Sequence, residues 1–373
     1  MRLQHLIATT ISFLLAISQL VAQQLGPAAL PLPTVTPAND GIFAAFQTHS
    51  LVALGDYHGL AQEEDFFAQL IRDPRFANDV GNVIVEFGDA AEQETIDRFV
   101  AGDEVTYEQL RRVWANTVGW FPTVTSLGYM NFFAEVRAVN ARMLPNQRIH
   151  VWLGDPPLDW SKVVTRADLA HVADRNQYPA DIIKLNLLAK NKKGLIIYGI
   201  GHLSGPGSLA MLIETSHPGS LFVVTPYFGF AQQSCSDAFE QTLKAWPSPA
   251  LATPVRSTTL QGALQQEGCR ITDSSDFHFS ASATDADKAA AIARSEGKVS
   301  GIAGDALLYL GPAITLTQSP LSPDLYLDPA FRKEVGRRFQ ILTGQAIQWP
   351  TAADNPMSPR FVRAYSRTIS SEK

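Results

Sequence analysis

Five nearly continuous apolar runs of strand length recur along the chain: Leu51 to Gly55, Asn82 to Gly88, Arg148 to Asp155, Leu195 to Gly199 and Ser220 to Tyr227. Runs of this kind, rather than strict alternation, predict strands buried on both faces. Between them the apolar positions change to a helical period. Leu60, Phe66, Phe67, Leu70 and Ile71 mark a helix over Leu60 to Arg72, and Ile96, Phe99 and Val100 mark one over Glu92 to Val100. Thr106 to Asn140 is helical and rich in aromatic residues, with an interruption from Gly119 to Pro122. Asp181 to Lys190 and Ser208 to Thr215 complete the series, and Pro329 to Leu342 carries one more apolar face. The alternation predicts an α/β fold with a mostly parallel sheet and helices on both faces. It adds a helical, lid-like insertion over about 104–143 and a C-terminal α/β extension.

The segments outside this pattern set the expected boundaries. Arg2, the apolar run Leu6 to Val21 and the small residue Ala22 read as a secretory signal over 1–22. A Pro/Ala-rich linker follows over 23–40, with Asp40 a plausible N-cap for a helix from Gly41 to Thr48. The core spans 41–230, and 231–373 is expected to pack on it. The protein is therefore expected to be exported, periplasmic or extracellular, with no membrane-spanning stretch after signal cleavage. In such a compartment the two cysteines, Cys235 and Cys269, suggest a disulfide. In the chain-entropy model it would contribute roughly 3–4 kcal/mol. The net charge of −6 and the lack of a long basic block argue against nucleic acid or an acidic membrane surface as partner.

Chemistry collects where the apolar runs end. Leu54-Gly55-Asp56-Tyr57-His58-Gly59 and Tyr198-Gly199-Ile200-Gly201-His202 both read Gly-x-x-His, and Asp56, Glu86, Asp155 and Tyr227 close or follow the other strands. Ligands of open parallel sheets sit outside these carboxyl ends. A single histidine at a strand end is usually a hydrogen-bonded turn residue, but two at matching positions point to a site. Glu86 follows a strongly apolar strand, where a carboxylate needs a partner. Asp56 and Asp155 are read as orienting groups or turn caps, and Tyr227 as a supporting residue. The aromatic residues between Tyr107 and Phe133 read first as helical core. His150, His171, His217 and His278 have no supporting pattern.

Three chemistries suit two histidines and a carboxylate. His58, His202 and Glu86 could hold a divalent Zn, Mn or Fe ion with open positions for water. Without metal, a histidine beside a carboxylate can act as general base on water. Ring nitrogens, or a His with a Tyr, could also ligate haem iron. No Gly-x-Ser-x-Gly elbow, Walker loop or dinucleotide fingerprint is present.

Leu54-Gly55-Asp56-Tyr57-His58-Gly59, Val85-Glu86-Phe87 and Gly199-Ile200-Gly201-His202 resemble motifs shared by erythromycin esterases, ChaN-type haem-uptake proteins and the Tiki/TraB group. The likeness covers about Leu51 to Tyr227. It implies an α/β fold with a helical insertion and a site built from His58, His202 and Glu86. The Tiki-like branch implies a metal-dependent protease, with its paired Gly-x-x-His motifs on His58 and His202. The esterase motif has one more residue between Gly and His, and a Glu where Asp56 stands. The spacing of the first motif is closest to the ChaN branch, which binds haem as a lipoprotein, whereas this chain lacks the lipidation cysteine. The expectation is an exported hydrolase, with His58, Glu86, His202 and Asp56 acting on a small molecule or peptide. The alternative is an exported haem- or iron-binding protein, the aromatic insertion covering a porphyrin.

Overall fold

The computed structural model describes residues 30–118, 121–230, 232–265, 269, 304–347 and 349. The signal over 1–22 lies outside the described residues. In chain order the elements are β1 (Thr34–Pro37), α1 (Ala38–Ala45), β2 (Leu51–Asp56), α2 (Ala61–Arg72), β3 (Asn82–Asp89), α3 (Gln93–Ala101), α4 (Tyr107–Ala115), α5 (Phe121–Thr125), α6 (Leu127–Asn140) and β4 (His150–Asp155). There follow α7 (Gln177–Asn186), β5 (Gly194–Gly199), α8 (Leu209–Ser216), β6 (Leu221–Tyr227), α9 (Gln233–Leu243), β7 (Ala250–Thr253), α10 (Thr259–Leu264), β8 (Ala306–Tyr309), α11 (Asp324–Leu327) and α12 (Pro329–Thr343).

The strands form one eight-stranded sheet in the order β1-β7-β8-β6-β2-β5-β3-β4. From β8 to β4 every pairing is parallel, while β1–β7 and β7–β8 are antiparallel. This confirms the α/β class. The central strand β2 is buried along its whole length. Its alternate residues enter two cores: Val52 and Leu54 pack with Phe66, Phe67 and Leu70 of α2, Leu51 and Ala53 with Ile183 of α7 and Leu209 and Ile213 of α8. Two-sided burial explains why these strands read as continuous apolar runs.

Three expectations change. Residues 34–40, read as linker, form β1 and the start of α1, because Thr34–Pro37 pair antiparallel with Ala250–Thr253 at the sheet edge. Asp40 is not an N-cap. It lies in the first turn of α1 and pairs with Arg75 at 2.8 Å. The residues after 230 do more than pack on the sheet: β7 and β8 extend it, with β8 pairing parallel to β6. Strands of four residues are too short to show a period. The Cys235–Cys269 disulfide is present. Among the described residues no helix is long and apolar enough to cross a membrane.

The helical insertion is α4, α5 and α6. A capping box between Thr106 and Gln109 starts α4. Trp114, Phe132 and Phe133 are buried, and Phe87 of β3 sits against Phe132 and Phe133. These rings belong to the core. Past β8 the chain returns across the insertion: Thr317 accepts from the Ala61 N–H at 2.9 Å, the Ser319 N–H donates to Gly59 at 2.7 Å, and Pro320 accepts from the Leu127 N–H at 2.9 Å. This strap ties the turn after β2 to the start of α6.

Candidate active site

The site lies at the carboxyl ends of β2, β3, β4 and β5. β2 delivers Asp56 and, two residues later, His58. The chain can turn sharply there because Gly59 takes a φ of 84°. Asp56 of β2 pairs in register with Gly199 of β5, so the two Gly-x-x-His turns leave the sheet side by side. The Gly199 N–H donates to Glu86 Oε2 at 2.6 Å. A Cβ at Gly199 would stand 2.7 Å from His58 Nε2 and 3.0 Å from Glu86 Oε2. The first glycine of the second motif is thus needed for close approach.

Glu86 is the hub. It is buried on β3, and four groups converge on its two oxygens. Besides the Gly199 N–H, Arg175 Nη2 donates to Oε1 at 2.6 Å, His202 Nε2 lies 3.3 Å from Oε1, and His58 Nε2 lies 3.7 Å from Oε2. Burial alone would raise the Glu86 pKa, but His202, His58 and Arg175 outweigh it and hold the carboxyl well below its ordinary range. Arg175 also donates through Nε to Asp155 Oδ1 at 2.8 Å, and Asp155 accepts from the Val118 N–H. Burial raises the Asp155 pKa against the pull of Arg175.

The two histidines have different supports. His58 Nδ1 is 3.0 Å from Asp56 Oδ2. Burial works against its charged form, yet the Asp56 and Glu86 carboxylates prevail and raise it to about 9. His202 Nδ1 is 2.6 Å from the neutral Asn176 Oδ1, and the ring meets Tyr198 edge-on.

Asp56, His58, Glu86 and His202 are therefore brought together as expected, with Asp155 joined to them through Arg175. Tyr227 is not. Its hydroxyl donates to Glu240 at 2.9 Å, and its ring packs with Phe230 and Phe239. Sequence reasoning missed Arg175, Asn176 and Tyr129. The signal for the first two is the run Asp174-Arg175-Asn176-Gln177. The Asp174 carboxylate accepts from the N–H groups of Asn176 and Gln177, both at 2.8 Å, and so starts α7 four residues before the expected Asp181. That start points Arg175 and Asn176 at the strand edge.

The donor set does not fit a divalent cation at His58, His202 and Glu86. The Arg175 guanidinium already bridges Glu86 and Asp155, the position in which a cation would neutralise both. Glu86 Oε2 is engaged by a backbone N–H, and His58 turns Nδ1 to Asp56. Among the described residues no group of three His, Cys, Asp or Glu side chains is arranged to hold a metal ion. What the arrangement offers instead is an acid–base histidine backed by a carboxylate, beside a second histidine and an arginine.

No family model and no curated protein matches the chain. Among solved structures it is similar to the type III effector HopBA1, at 15% identity over 54% of this chain and 89% of that one, with a TM-score of 0.34. It is also similar to a succinoglycan biosynthesis protein, at 9% identity over 53% of this chain and 72% of that one, with a TM-score of 0.39. A Bacillus cereus protein gives 11% identity over 54% of this chain and 73% of that one, with a TM-score of 0.35. At these levels the likeness carries no weight for activity, which rests on the site alone.

Proposed function

We propose that the protein is an exported hydrolase in which His58 activates water without a metal, acting on an ester or amide bond of a small molecule or peptide. The observation that carries this reading is the Asp56–His58 pair, with Nδ1 held by Asp56 at 3.0 Å and Nε2 directed to the Glu86 side of the site. A histidine so oriented is a general base. His58 Nε2 takes a proton from water as the water oxygen bonds to the carbonyl carbon, and the carbonyl π pair moves onto oxygen. When the tetrahedral species collapses, the leaving group takes that proton from His58. Arg175, whose side chain is 29% exposed, stands where it can donate to the developing oxyanion. Glu86 steadies the imidazolium. Export is supported by the signal-like N-terminus and by the Cys235–Cys269 bond, which suits an oxidising compartment.

The test is a panel of chromogenic esters and short peptides assayed with wild-type protein, His58→Ala and chelator-treated protein. His58→Ala should lose about 10²–10⁴-fold in rate, and chelation should change nothing. Full activity in His58→Ala, or activity lost on chelation and restored by a divalent metal, would overturn the proposal.

A further inference from the structure

Tyr129 is a buried residue of α6 that the acid–base scheme does not use, yet it touches the scheme's most sensitive point. Its hydroxyl donates to Asp56 Oδ2 at 2.6 Å, the same oxygen that faces His58 Nδ1 at 3.0 Å. The hydroxyl also accepts from the Gly59 N–H at 3.2 Å, and it lies 3.5 Å from His58 Nδ1. The ring stacks on Phe87, the neighbour of Glu86, with centroids 4.3 Å apart. One side chain of the insertion thus contacts the His58 turn and the strand that carries Glu86. Packing alone does not call for the oxygen, since the nearby buried rings Phe132 and Phe133 have none.

A carboxylate only accepts hydrogen bonds, so the tyrosine O–H and the imidazole N–H compete for one oxygen. Burial, then the Asp56 charge, pushes the Tyr129 pKa well up, so the phenol keeps its proton and remains a donor. The other charged groups around the pair are Glu86 on β3, Arg175 before α7, and Glu63 and Glu64 on α2, of which Glu63 accepts from the Tyr57 N–H at 2.8 Å. The groups that hydrogen-bond to Asp56 Oδ2 are His58 and Tyr129. The strap also reaches this point, through Ser319 on Gly59 and Pro320 on the first residue of α6.

We propose that Tyr129 is a positioning residue: by sharing Asp56 Oδ2 with His58, its hydroxyl sets how strongly Asp56 grips the imidazole and keeps Nε2 turned toward Glu86. The helical insertion is thereby coupled to the histidine that performs the chemistry. The proposal deepens the hydrolase reading and rests on it for its consequence, but its test needs no substrate.

The experiment is long-range 1H–15N spectroscopy of the histidine rings in the resting full chain, for wild type, Tyr129→Phe and Phe132→Leu. His58 and His202 are assigned by their loss in His58→Gln and His202→Gln. Tyr129→Phe should strengthen the remaining Asp56–His58 hydrogen bond, moving the His58 Nδ1 signal and shifting its proton downfield, while His202 stays in place. Phe132→Leu disturbs packing on the same helix and should leave His58 where it was. An unmoved His58 in Tyr129→Phe, or an equal displacement in Phe132→Leu, would overturn the proposal. A protein that shows the shift but hydrolyses nothing would refute the hydrolase reading alone.

Discussion

The two Gly-x-x-His turns leave neighbouring strands side by side, but different groups stand behind their rings. His58 is backed by the Asp56 carboxylate and faces Glu86, and these charges raise it to about 9. His202 is backed by the amide of Asn176 and shares the same Glu86. One motif therefore places two rings in unlike electrostatic settings. The backing residue, supplied from elsewhere in the fold, is a charged carboxylate for one ring and a neutral amide for the other.

The largest effect should come from removing what the two turns share. Glu86→Gln leaves Arg175 with Asp155 as its charge partner and takes away the anion both rings face. Breaking such a buried pair should cost about 3–5 kcal/mol, read by urea denaturation. A loss below about 1 kcal/mol would show that Glu86 is not the hub, a surface pair being worth no more than that.

The next effect isolates His58 through pH. Its pKa is higher folded than unfolded, so its contribution to stability is full below about pH 6.5 and is lost as pH rises through about 9. The amount is about 3 kcal/mol. Glu64 on α2, which burial raises to about 8, works in the same direction from its unfolded value upward. Denaturant midpoints should fall between pH 6 and pH 9 in wild type and fall less in His58→Gln. Equal slopes would mean that His58 does not gain its proton through Asp56 and Glu86. The ester hydrolysis rate should climb over the same range as the neutral base accumulates.

The smallest effect concerns the glycine that lets the turns meet. Gly199→Ala places a methyl 2.7 Å from His58 Nε2 and should cost about 1–3 kcal/mol as overpacking. It should displace the His58 ring. Glycine 201 is the contrast: no atom stands within 4 Å of a Cβ there, so Gly201→Ala should be far milder in thermal unfolding.

Much of this architecture can be read along the chain. The strands β2, β3, β4, β5 and β6 were legible because two-sided burial demands unbroken apolar runs. Asp56, His58, Glu86 and His202 were legible because polar groups close those runs where a parallel sheet presents its ligands. β1 and β7 were not, since four residues cannot show a period and their place depends on pairing partners far away in sequence. Arg175 was hidden in an irregular segment whose helix start depends on the Asp174 side chain. Tyr129 was hidden among core aromatics, its phenol distinguishable from a phenylalanine's ring only once Asp56 stands beside it.

By itself, then, the sequence determined the layered α/β plan and the residue types that reach the edge of the sheet. Periodicity and burial are local or one-dimensional constraints, and they leave their record in composition and spacing. Only the tertiary structure decided which charge backs which histidine, and that an arginine bridges Glu86 and Asp155. Those outcomes depend on distances of about 3 Å between side chains up to about a hundred residues apart, where Coulomb and desolvation energies change steeply with position.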